Sequence, residues 1–174
     1  ITDTPVSKME NLGSAINALS NNAATSTDEI VQASLKASGS LSQLGVSQTD
    51  IAALTASLNA VSPSARRAGT RLRRVGQELL NPKKAKEVAS ALGLTADEFE
   101  RQLKTNPTEV FKQLASTMSE NGAAADKLRK SLSSASRTAI SKLGGNLEGL
   151  NSNLTRSREE FEKNTSIQEE FNLK

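Results

Sequence analysis

Stop and start signals for helices recur about every fifteen to twenty residues along this chain. No other feature constrains the fold so tightly. Val6, Met9, Leu12, Ile16 and Leu19 mark one face of a helix that the segment Asn21 to Thr25 ends. Ser26 or Thr27 caps a second helix with Asp28 and Glu29 in its first turn. Its inward side is read as Ile30, Val31, Leu35, Leu41 and Leu44, with Gly45 as the stop and a kink or break allowed at Gly39. Ser47 with Asp50 resembles a capping box and opens a helix through Ile51, Leu54, Leu58 and Val61, which Ser62-Pro63 closes. A helix from about Ser64 to Leu80 stops at Asn81-Pro82, and a fifth runs through Val88 and Leu92 to Gly93. Gly93-Leu94-Thr95 with Glu98 repeats the punctuation of Gly45-Val46-Ser47 and starts a short helix to about Lys104. Asn106-Pro107 starts another, with Val110, Phe111, Leu114 and Met118 inward. After Asn121-Gly122 a final stretch holds Leu128, Leu132, Ile140 and Leu143, is interrupted at Gly144-Gly145, and continues through Leu147, Leu150 and Leu154.

Ala, Ser and Leu dominate, and β-branched apolar residues are few, so the expected class is all-α. We expect about six to eight short helices joined by tight turns, with an elongated arrangement allowed. The chain has no His, Cys, Trp or Tyr. That excludes metal sites built on imidazole or thiolate, a His general base, a Cys nucleophile and disulfides. No cofactor or metal is expected. The longest strongly apolar stretch without a charge, Ile51 to Ala65, is too short to span a bilayer. The absence of an initiator Met at Ile1 suggests a piece of a longer polypeptide.

Several segments, in order, resemble the core region of phage tail tape-measure proteins. They are Ala15 to Ile30, Gly45-Val46-Ser47 through Ala52-Ala53-Leu54, Ala68-Gly69-Thr70-Arg71-Leu72-Arg73, Ala91-Leu92-Gly93-Leu94, and Asn106-Pro107 to Leu114. The resemblance covers most of residues 6 to 120 and weakens beyond Gly122, where Ser133 to Ile140 lacks the family's Phe-Gly pair. It implies a structural protein of the virion tail, present in the host cytoplasm during assembly, whose length sets that of the tail tube. The implied partners are tail-tube subunits, tail-assembly chaperones and tail-tip proteins, with copies lying alongside one another. Some members carry peptidoglycan-cleaving domains, of which nothing is visible here. On this basis residues 1–122 read as a tape-measure-like helical core module and 123–174 as a helical extension. From Thr155 its tail is polar and needs a partner, or its neighbours, to bury Phe161, Ile167 and Phe171.

The main charge feature is Arg66, Arg67, Arg71, Arg73 and Arg74, followed by Lys83, Lys84 and Lys86. At about 100° per residue the five arginines fall on one side of a helix, and Ala65, Ala68, Leu72, Val75 and Leu79 on the other. Gly69 and Gly76 border the apolar side, where their use is close approach of a second helix. Three readings stay open for the arginines. They are a solvated face or one paired with Glu159, Glu160 and Glu162, a contact with other phage proteins, and a phosphate- or nucleic-acid-binding stripe. A basic helical module that binds nucleic acid is therefore the alternative function, and the less favoured one. No enzyme is expected. The acidic trio Asp97, Glu98 and Glu100 sits where a helix N-terminus favours acids, and no aromatic-lined groove accompanies it to bind sugar. Lys127 and Lys130 lie among serines that are common throughout, and no small-molecule substrate is implied.

Overall fold

Helix ends leave amides and carbonyls without intrahelical partners, and the elements of this chain begin and end where side chains or tight turns supply them. A computed structural model describes residues 8–62 and 64–167, so Val6, Pro63 and Phe171 lie outside the described residues. The described residues form ten α-helices and no strand: α1 (Met9–Asn22), α2 (Thr27–Gln43), α3 (Gln48–Asn59), α4 (Ala65–Leu80), α5 (Pro82–Ala91), α6 (Ala96–Thr105), α7 (Pro107–Ser119), α8 (Ala123–Ser131), α9 (Ser134–Gly144) and α10 (Leu147–Lys163). The fold is all-α.

Ser26 opens α2 and Thr95 opens α6 with complete capping boxes closed by Glu29 and Glu98. The joints at Gly45 and Gly93 are the same motif. Val46 N–H donates to Leu41 O (3.0 Å) and Leu94 N–H to Ala89 O (2.9 Å), over glycines at φ 86° and 74° that an L side chain rarely adopts.

Four expectations need correction. Helices number ten rather than six to eight, because Leu132 leaves helical geometry and Ser133 caps a new helix, splitting the stretch after Gly122 into α8 and α9. Gly39 does not break α2, which runs continuously from Thr27 to Gln43. Leu35 does not face inward but is 56% exposed. Asp50 does not complete a capping box: Ser47 Oγ accepts from Asp50 N–H, while the Asp50 carboxylate points to other helices.

The reason lies in α3, which is buried from Thr49 to Asn59. A helix covered all round must satisfy its polar side chains internally. Thr55 shares a hydrogen bond with Ser34 of α2 (2.9 Å), and Ser57 Oγ accepts from Asn153 Nδ2 of α10 (2.9 Å). Asp50, 5% exposed, accepts from Thr108 Oγ1 of α7 (2.7 Å) and from both Nε and Nη2 of Arg158 on α10 (2.7 Å each). That hydrogen bonding holds the Arg158 pKa above its ordinary value, against the opposing effect of burial.

Around α3 pack α1, α2, α10 and α4, with α4 also against α9. The shorter helices continue outward, α5 on α4, α6 and α8, and α7 on α6, α8 and α9. Phe99, Phe111, Leu54, Leu72, Leu114 and Ile140 are among the fully buried side chains that join these layers. α10 closes the structure against α1. Ser14 Oγ donates to Glu160 Oε1 (2.6 Å), Asn11 Nδ2 to Phe161 O (2.6 Å), and Ser166 N–H to Ser14 Oγ (3.0 Å). Phe161 is thereby half-buried against the core by its neighbours, whereas Ile167 stays 51% exposed.

Candidate interaction surface

The helix that carries the arginines, α4, is divided sharply. Ala65, Ala68, Gly69, Leu72, Val75, Gly76 and Leu79 are buried, and Arg66, Arg67, Thr70, Arg73, Arg74 and Gln77 are exposed. The buried side lies on α2 at short range. A Cβ at Gly69 would stand 2.5 Å from Ala33 O and 2.8 Å from Ala33 Cα, and one at Gly76 would stand 2.6 Å from Ser40 Oγ. Ser40 Oγ donates to Arg73 O across the same seam (3.0 Å). Gly69 lets α4 meet the backbone of α2 at Ala33, Gly76 makes room for the Ser40 and Leu41 side chains, and that seam leaves the arginines on the opposite side of α4.

The five arginines do not share one environment. Arg74 Nε pairs with Glu78 Oε1 at 3.1 Å. Glu78 is itself buried and accepts Ser133 N–H at the start of α9 (3.1 Å). Arg71 sits half-buried at the margin of the exposed side, with Nη1 buried and lacking a hydrogen-bond partner among the described residues. Arg66, Arg67 and Arg73 are exposed with no carboxylate in ion-pair range among the described residues. Following on α5, Lys83 and Lys86 are exposed, while Lys84 pairs with Glu87 at 2.6 Å and donates to Ser131 O.

Four carboxylates of the acidic clusters are engaged elsewhere. Glu159 pairs with Lys163, so it does not neutralise α4. Burial raises the Glu160 carboxyl, but the Ser14 hydroxyl and the Ser166 and Thr165 amides outweigh it and hold the group below the ordinary glutamate range. In the other cluster Glu98 is lowered by the Thr95 amide and then the Thr95 hydroxyl, and Glu100 by its hydrogen bond to Lys104. These carboxylates are tied to caps and helix-surface pairs. Lys127 and Lys130 lie on α8, where Arg129 pairs with Asp126.

A surface with three exposed guanidinium groups on one helix, unpaired among the described residues, can recognise carboxylates or phosphates by paired N–H donors. The sequence reading located this face but missed the Asp50, Thr108 and Arg158 group that ties α10 to α3 and α7. An acid next to the charge-free run from Ile51 was its only signal. No described helix is long and apolar enough to cross a membrane.

No curated protein and no solved structure matches the chain. A family model described as phage-related minor tail protein matches residues 2–135, which takes in every helix from α1 to α8 and the opening of α9. The match covers well over half of the sequence, and the chain belongs to the phage-related minor tail protein family.

Proposed function

We propose that this chain is a structural segment of a tail tape-measure protein, which sets tail length and scaffolds assembly of the tail tube. The observation that carries the reading is an overlap. The family match over residues 2–135 coincides with the stretch, residues 6 to 120, where tape-measure-like helix boundaries follow one another in order. The role is mechanical rather than catalytic, its site is the virion tail after assembly in the host cytoplasm, and its partners are tube subunits, tail chaperones and tail-tip proteins. The exposed arginines of α4 serve as a contact for acidic faces of those partners.

Helical rise turns the idea into a measurement. One continuous helix of 174 residues would span about 260 Å, whereas a bundle as long as its 17-residue helices spans about 25 Å. In-frame deletion of the segment from the phage gene shortens the tail, measured by electron microscopy, by a length between those limits. Tails of unchanged length would overturn the proposal.

The unpaired Arg66, Arg67 and Arg73 favour a second reading, a module that binds nucleic acid. Its signature is binding to nonspecific DNA that weakens steeply with salt and disappears when the three are changed to Glu. Salt-insensitive or absent binding discards it.

A further inference from the structure

We propose that an apolar groove formed by α5, α6 and the ends of α2 and α4 receives residues 167–174 of a second copy of this chain. The proposal is independent of the tape-measure reading. The groove has a volume of ≈ 500 Å³ and is walled by Leu44, Leu79, Leu80, Pro82, Phe99 and Leu103. Leu80 is 38% exposed within it, an uncovered leucine beside a rigid helix joint.

Charge selects the occupant. Of the charged side chains lining the groove, Glu100 and Lys104 neutralise each other at 2.6 Å, while Lys86 has no carboxylate partner among the described residues. Lys83, three residues before Lys86 on α5, is exposed and likewise lacks an ion pair there. The uncompensated charge beside this apolar hollow is therefore positive. A segment that fits it has a large apolar side chain next to acids.

The chain contains such a segment. Ile167-Gln168-Glu169-Glu170-Phe171-Asn172-Leu173-Lys174 sets two carboxylates directly before a phenylalanine. Phe171 inserted among Leu80, Phe99 and Leu103 would bury its ring, and Glu169 and Glu170 would face Lys83 and Lys86. The segment starts from α1, where Ser166 is held by Ser14 and Asn17, and α1 packs on α2, α3 and α10 rather than on α5 or α6. With a second copy as the donor, exchange of segments between two copies closes a symmetric pair with two such contacts.

Sedimentation velocity on the full chain at low salt tests this, with a mass above the 18.4 kDa monomer expected. Phe171→Ala and Leu80→Ser, the latter at a side chain 38% exposed, should each weaken association about tenfold. Lys83→Glu with Lys86→Glu should weaken it by about tenfold, as should Glu169→Lys with Glu170→Lys, and combining all four should restore it. A photo-crosslinking residue at position 171 should join two chains through the groove wall. A particle that is monomeric at every concentration, charge reversals without effect, or crosslinks confined to one chain would each overturn the proposal.

Discussion

The same substitution, glycine to alanine, should have opposite effects at two mid-helix positions of this chain. At Gly39 in α2 a Cβ meets nothing within 4 Å. Alanine there gains helix propensity and removes freedom from the unfolded chain, so Gly39→Ala should stabilise by about 0.5–1 kcal/mol. At Gly69 the added carbon lands 2.5 Å from Ala33 O and 2.8 Å from Ala33 Cα, atoms of a helix backbone that cannot rotate away. Ordinary contact begins near 3.4 Å, so α2 and α4 must part by about 0.6–0.9 Å. That loosens Ala37, Leu41 and Leu72, all fully buried. Overpacking of this kind costs about 1–3 kcal/mol, against which the propensity gain of about 1 kcal/mol is the smaller term. Gly69→Ala should therefore destabilise by up to about 2 kcal/mol, and a larger side chain such as Leu by more. Urea unfolding followed by circular dichroism reads both, with a midpoint change of about 2–4 °C per kcal/mol in parallel thermal melts. If Gly69→Ala were as stabilising as Gly39→Ala, the close approach of α2 and α4 would be refuted.

Three further outcomes follow from the same geometry. Arg158→Ala leaves the buried Asp50 carboxylate with Thr108 alone and should cost about 1–3 kcal/mol, discounted because Arg158 is half exposed. Pairing it with Asp50→Asn should recover part of the loss in a double-mutant cycle. Changing Arg66, Arg67 and Arg73 to Ala should leave the denaturation midpoint within about 0.5 kcal/mol of the parent while removing binding to acidic tail partners. For Glu160 the folded pKa lies below the unfolded one, so its contribution is present at neutral pH and is lost as pH falls through the carboxylate range, below about pH 5. Glu160→Gln should flatten that acid limb of the stability profile, and an unchanged slope would show that its bonds to Ser14, Thr165 and Ser166 do not favour the ionised form.

What was legible in the sequence was what is decided within one helical turn. The caps at Ser26 and Thr95 and the stops at Gly45 and Gly93 depend on residues no more than a few positions apart, so local chemistry reveals them. The break at Ser133 has the same chemistry. It was hidden because Leu128, Leu132, Ile140 and Leu143 keep helical spacing across it, with no glycine or proline to mark the turn. Leu35 was misplaced for a related reason: on α2, spacing of three and four from Val31 traces an outer stripe as well as an inner one. The apolar and basic sides of α4 could be separated on paper, since they obey one helix's periodicity. The docking of α10 could not, because its seam is largely polar and its pairs lie far apart in sequence: Thr108 and Arg158 reach back to Asp50 from 58 and 108 residues away.

That last separation also sets a clock on synthesis. A ribosome adds about 5–20 residues per second, so about 5–20 s pass between the emergence of Asp50 and that of Arg158, 108 residues later. Throughout that interval the flank of α3 that carries Asp50 and Ser57, destined for α10, has no cover from its own chain. The polar groups on it can be hydrated while they wait, but neighbouring Leu54 and Ala53 cannot, so the nascent protein carries a partly greasy strip until α10 has been made. Slowing translation between α3 and α10 should lengthen that exposure and increase aggregation of unfinished chains, whereas docking of α10, which brings Arg158 to Asp50, ends it.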